Sequence, residues 1–153
     1  MRAVVQRVRD ASVEVDSKEV GAIDYGLLVY VGFNINDQIE DLDYVVNKIK
    51  FLRIFSDKDD IMNLDINSCG SKILSISQFT LYADVSKGRR PSYDQAMKSE
   101  TANEYYQLFN KKLREAGLNV EEGIFQSEMK IKSINEGPIT IIIDSKERKN
   151  EKN

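Results

Sequence analysis

The chain of 153 residues has no histidine, a single cysteine and two prolines, and each scarcity excludes something. Without histidine there is no side chain that ordinarily titrates near neutrality. A hydrolase of this sequence must therefore work with backbone groups, hydroxyls or the substrate itself. The lone Cys69 sits in the turn-like Asn67-Ser68-Cys69-Gly70. It excludes an internal disulfide and a cysteine-based zinc site, and with no base beside it, it reads as a structural thiol. Neither a metal nor a cofactor is expected. No apolar run approaches the roughly 18 residues of a membrane span. The start, Met1-Arg2-Ala3-Val4-Val5-Gln6-Arg7, carries charge too early for a signal peptide. A cytoplasmic protein with no membrane partner is the expectation.

What is present suits one globular domain, with 41% hydrophobic and 31% charged residues. We place the domain at 1–145 and a charged tail, expected to be frayed from about Asp144, at 146–153. The net charge of −3 argues against broad nonspecific nucleic-acid binding. Lys87-Gly88-Arg89-Arg90 is nevertheless a dense basic cluster within the folded part.

Alternating apolar positions predict strands over 2–9 and 11–16 with a break near Asp10, and Gly26–Gly32 reads as a strand buried on both faces. Asp37 and Glu40 have capping-box spacing. Ile39, Leu42, Val45, Val46, Ile49 and Leu52 then form one helical stripe. Residues 53–70 read as short extended pieces and turns, and Lys72–Tyr82 as a strong strand. Thr101 opens a second helix with Tyr105, Leu108, Phe109, Leu113 and Ala116 inward, stopped by Gly117. Two closing strands cover about 128–135 and 138–144. The order predicts a mixed α/β (α+β) single domain with two main helices.

Three segments invite a chemical reading. In Ser77-Gln78-Phe79-Thr80-Leu81, strand alternation puts Gln78 and Thr80 on one face, suited to a polar substrate. Thr80 as a nucleophile needs an adjacent base, and none is supplied. Backbone N–H groups of Phe79 or Thr80 could serve an oxyanion instead, and Ser and Thr are also ordinary strand residues. Asn135-Glu136-Gly137-Pro138 is a turn, or a loop that reads a ligand with main-chain atoms. Lys87 to Ser92, with Arg89 and Arg90, is a solvated charged loop or a phosphate contact.

These segments, in this order, resemble the D-aminoacyl-tRNA deacylase family, of the D-tyrosyl-tRNA(Tyr) deacylase type. The likeness runs from Met1 to about Asp144. It includes Gln6-Arg7-Val8, Gly26-Leu27-Leu28-Val29, Arg53-Ile54-Phe55-Ser56-Asp57, Ser77 to Leu81, Lys87 to Ser92, and Asn135 to Thr140. The resemblance implies a barrel-like, mostly antiparallel sheet in a homodimer with active sites at the interface. It implies hydrolysis of the ester between a D-amino acid and tRNA, with some activity on glycyl-tRNA. By matching position, a cis Gly137-Pro138 from one subunit would be the chiral selector, held by Arg7. Ser77, Gln78, Phe79 and Thr80 would line the pocket, with Met129 near the adenine end. Lys87, Arg89 and Arg90 would contact tRNA. The family's chemistry is described both with the threonine as nucleophile and with the terminal ribose 2′-hydroxyl assisting; the missing base favours the second. Glu136, Tyr93, Gln126 and Ser127 depart from the usual pattern. A tRNA-binding module without catalysis and a general esterase using Ser77 or Thr80 are the competing readings.

Overall fold

The computed structural model of the chain describes residues 1–148. Its organising element is β1 (Arg2–Val15), which buries Ala3 and Val5 on the face toward the helices and Val8, Ala11 and Val13 on the other. The expected break near Asp10 is not a chain break. Arg9 and Asp10 are exposed, and pairing with the last strand shifts register between Val8 and Ala11, so the strand absorbs the irregularity and continues.

β2 (Lys18–Ile23) follows a tight turn in which Asp16 and Ser17 both have positive φ, 50° and 64°, the geometry of a two-residue hairpin. Sequence reasoning missed this strand. β3 (Gly26–Gly32) is buried as its apolar run predicts, because it lies between β1, antiparallel, and β6 (Lys72–Ser77), parallel.

α1 (Ile39–Phe51) buries Leu42, Val45, Val46 and Ile49. Its start corrects the predicted capping box by one residue: the Gln38 N–H donates to Asp41 Oδ2 at 2.7 Å. Asp37 is drawn elsewhere. Its buried carboxylate accepts from the Met1 nitrogen and from the Asn34 N–H, both at 2.6 Å. β4 (Phe55–Ser56) and β5 (Met62–Leu64) make a small hairpin, and α2 (Ile66–Cys69) is one turn capped by the Asp65 side chain.

α3 (Ser99–Glu115) starts two residues before Thr101 and buries Ala102, Tyr106, Phe109, Asn110 and Leu113. Tyr105, Leu108 and Ala116 are only half-buried, so the stripe is centred on Tyr106 rather than Tyr105. Gly117 follows at φ 90°. β7 (Asn119–Glu122) adds to β6 in parallel. β8 (Lys130–Asp144) is one strand where two were expected.

The main sheet runs β2-β1-β3-β6-β7, with β8 on the other side of β1. β2 curls back over β6 and β7, so the sheet is barrel-like, mixed and mostly antiparallel. Val8, Ala11, Val13, Ile23, Leu28, Leu74 and Ile76 fill the inside of the curl. The outer face packs on α1 and α3 through a larger cluster that includes Val29, Ile73, Tyr106 and Phe109. The polar stretch expected to fray from Asp144 begins anchored: Ser145 is buried and its Oγ meets the Met1 nitrogen at 2.7 Å. Of the predicted tail, residues 149–153 lie outside the described residues. No described helix is long and apolar enough to cross a membrane.

Candidate active site

β3 and β6 run parallel, and their carboxyl ends open into a cavity of about 480 Å³. Ligands commonly bind at the carboxyl ends of parallel strands, and the volume is in the range of small-molecule sites. Val31 and Gly32 end β3 and Phe33 follows them, and Ile76 and Ser77 end β6. Gln78 and Phe79 follow them. Met97, Ser99 and Ala102 arrive with the start of α3, and residues 125–129 form the far wall.

The predicted strand through Tyr82 stops at Ser77. Its residues alternate as a strand would, yet Phe79–Tyr82 is a 3₁₀ turn, with the Leu81 N–H donating to the Gln78 carbonyl at 3.2 Å. The turn starts at the cavity, so the N–H groups of Phe79 and Thr80 precede the first acceptor inside it. Gln78 and Thr80 still meet, for a different reason than alternation: Gln78 Nε2 donates to Thr80 Oγ1 at 2.5 Å. Thr80 is exposed, and its hydroxyl partner is a carboxamide rather than a base. The other nucleophile type is no better placed: burial, then Asp65, pushes the Cys69 thiol up.

Beyond the turn, Lys87, Arg89 and Arg90 are exposed on a loop that includes Gly88 at φ 67°. Reciprocal backbone hydrogen bonds between Asp84 and Ser92, 2.8 and 2.9 Å, pin its base. Phe79 packs edge-on to Tyr93 at 4.9 Å between ring centroids, which ties this basic loop to the cavity.

Gly137 and Pro138 lie elsewhere. Between the pairs Gln6–Thr140 and Val8–Asn135, one residue of β1 faces four of β8, and these bulge outward with the Gly137–Pro138 peptide cis. Side chains hold the bulge. Arg7 Nε donates to the Glu136 carbonyl at 3.3 Å, while its Nη1 reaches the Ile54 carbonyl at 2.9 Å. Asn135 Oδ1 accepts from the Ile139 N–H, and Asn135 Nδ2 donates to Thr140 Oγ1, both at 3.1 Å. Arg9 pairs with Glu136. Gly137 and Pro138 are exposed, and neither they nor Arg7 line the chain's own cavity.

Ser77, Gln78, Phe79 and Met129 are thus brought together, Thr80 is tied to Gln78 but does not line the cavity as expected, and Gly137, Pro138 and Arg7 form a separate group. Sequence reasoning missed Met97 and Ser99. Both reach the cavity through tertiary contacts, such as the Met97 N–H on the Phe33 carbonyl at 3.0 Å, which leave no local pattern.

The order of the matched segments has a counterpart in known proteins: the family model described as D-Tyr-tRNA(Tyr) deacylase matches residues 4–144. The chain belongs to this deacylase family. It is 47% identical over 148 residues to the D-aminoacyl-tRNA deacylase of Geotalea daltonii, covering 97% of this chain and 99% of that one. The D-aminoacyl-tRNA deacylase of Brevibacillus brevis is 48% identical over 145 residues, covering 95% and 100%. Among solved structures, one described as c-Myc DNA unwinding element binding protein superposes with a TM-score of 0.89 at 36% identity, covering 94% of this chain and 98% of that one.

Proposed function

We propose that the protein hydrolyses the ester bond of D-aminoacyl-tRNA, releasing tRNA and the D-amino acid. Family membership and near-complete alignment with D-aminoacyl-tRNA deacylases support the reaction class. The observation that carries the chiral reading is the separation of cavity and loop: the Gly137-Pro138 bulge is rigidly held, exposed, and outside the cavity of its own chain.

In this reading the bulge serves the cavity of a second copy. β8 supports that pairing. It is 15 residues long, is paired only with β1 among the described strands, and exposes Ile134 and Ile142. Proteins rarely leave so long an edge uncovered. The partner's Gly137 and Pro138 carbonyls would face the substrate's α-carbon, where the side chain of an L-residue collides with them. Glycine has no side chain to exclude, so glycyl-tRNA is also a substrate. Lys87, Arg89 and Arg90 lie along the path of the acceptor end and hold its phosphates.

Water adds to the ester carbonyl, and the N–H groups of Phe79 and Thr80 stabilise the oxyanion, worth about 3–4 kcal/mol for a well-placed donor. The bond to the ribose 3′-oxygen then breaks, and that oxygen takes the proton the water gave up. The terminal 2′-hydroxyl orients the water, a task that histidine would perform in many hydrolases. Action on charged tRNA suits the cytoplasm.

The test compares hydrolysis of D-tyrosyl-, L-tyrosyl- and glycyl-tRNA. Release of the D-amino acid and glycine with the L-ester spared is expected. Equal rates on D- and L-esters would leave a general esterase, and tight tRNA binding without turnover a binding module.

A further inference from the structure

The far wall of the cavity is the turn between β7 and β8, closed by the Ser127 N–H on the Ile124 carbonyl at 3.2 Å. Its third residue, Gln126, has φ 61°, a backbone conformation that glycine takes freely and glutamine does not. Gln126 Nε2 donates to Ser99 Oγ at 2.9 Å, joining the wall to the first residue of α3 on the opposite rim. Gln126 and Ser99 both line the cavity. On either side of Gln126 the wall is fixed by packing: Phe125 lies against Tyr106, ring centroids 6.1 Å apart, and Met129 sits on the inner cluster of the curled sheet.

We propose that Gln126 is a positioning residue, acting through Ser99 as a strap that holds the cavity open to one fixed width for the aminoacyl end of the substrate. The proposal rests on the deacylase reading above. A wall held in advance loses less freedom on binding, so the strap strengthens ground-state binding and leaves the chemical step alone. The backbone at Gln126 would relax with glycine there, which separates this role from a merely structural one.

The probe is a non-hydrolysable ester mimic, 3′-amino-3′-deoxyadenosine carrying D-tyrosine in amide linkage, titrated calorimetrically into the full chain. Gln126→Gly is expected to keep or raise the melting temperature yet weaken binding about threefold to tenfold, the effect of one hydrogen bond. KM for D-tyrosyl-tRNA should rise by a similar factor with kcat unchanged. Ser99→Ala should match it, the double variant should be no worse than either single one, and Ser99→Thr should restore binding. Unchanged binding in Gln126→Gly, or effects of the two single changes that multiply, would overturn the strap. No D-ester hydrolysis by the unaltered protein overturns the deacylase reading alone, because the binding comparison still decides the strap. No binding of the probe to the unaltered protein overturns the strap as well.

Discussion

Replacing Arg7 with methionine should both soften the fold and blur the distinction between D- and L-esters. Arg7 is only 8% exposed, and its guanidinium bridges two carbonyls, Ile54 at 2.9 Å and Glu136 at 3.3 Å. A hydrogen bond from a charged donor contributes about 1.5–3 kcal/mol. The Ile54 bond has good geometry, and the longer Glu136 bond adds less. Methionine also removes the cost of burying a charge, which offsets part of the loss. The net destabilisation is about 1–3 kcal/mol, a fall of roughly 3–10 °C in melting temperature for a domain of this size. Losing the tie to Glu136 frees one side of the Gly137-Pro138 bulge. A drop in D/L selectivity of about tenfold corresponds to about 1.4 kcal/mol of lost discrimination. Thermal melts and parallel deacylation of D- and L-tyrosyl-tRNA measure both. Arg7→Lys should fall between, since an ammonium cannot span the two carbonyls as a planar fork does. A lowered melting temperature with unaltered selectivity would refute the claim that Arg7 positions the selector.

Three further outcomes are expected. Gly26→Ala should prevent folding, because a Cβ there would lie 2.0 Å from the Lys72 carbonyl oxygen in the parallel β3–β6 ladder; a cooperative melt near that of the parent by circular dichroism would contradict this packing. Thr80→Ala should keep activity within about tenfold, while tRNA lacking the terminal 2′-hydroxyl should be a poor substrate; the reverse pattern in single-turnover assays would establish a threonine nucleophile. The pH–rate profile should show no inflection from a side chain of the site between about pH 6 and 8, since there is no histidine and the Cys69 thiol is pushed up. The substrate's own amino group titrates near there, so the profile is repeated with N-acetylated ester, and an inflection that persists would reveal a protein base.

The parts of this fold legible in the sequence are those in which pattern and burial agree. The run Gly26–Gly32 is apolar throughout because neighbours cover both its faces, and the α1 stripe records a single buried side. Elsewhere a tertiary partner overrules the local signal. Asp37 looks like a helix cap, but a buried nitrogen and the Asn34 N–H claim it. Lys18 and Glu19 hide β2 because both are exposed at the start of a short strand. Gly137-Pro138 looks like a strand break, but the Asn135 side chain supplies hydrogen bonds the bulge would otherwise lack, and β8 continues. Motif order marks Ser77 and Met129, and both line the cavity. The 3₁₀ turn at Phe79 has no such mark, since Ser77 to Leu81 keeps a strand's alternation up to the point where the Gln78 N–H takes the Val31 carbonyl at 2.7 Å. The strap between Gln126 and Ser99 joins residues 27 apart, and no local pattern encodes it.

Subunit complementation decides whether one site is built from two chains. One chain carries Ser127→Trp to block its cavity, and the other carries Gly137→Ala, which at φ 132° deforms the Gly137-Pro138 loop. Each variant alone should lose D-specific hydrolysis. In a purified mixed dimer, the open cavity of the Gly137→Ala chain meets the intact loop of its partner. There D-tyrosyl-tRNA hydrolysis should return to about half the rate of the parent dimer, one site of two, with L-tyrosyl-tRNA spared. A mixed dimer as inactive as its parents would contradict a site built from two chains.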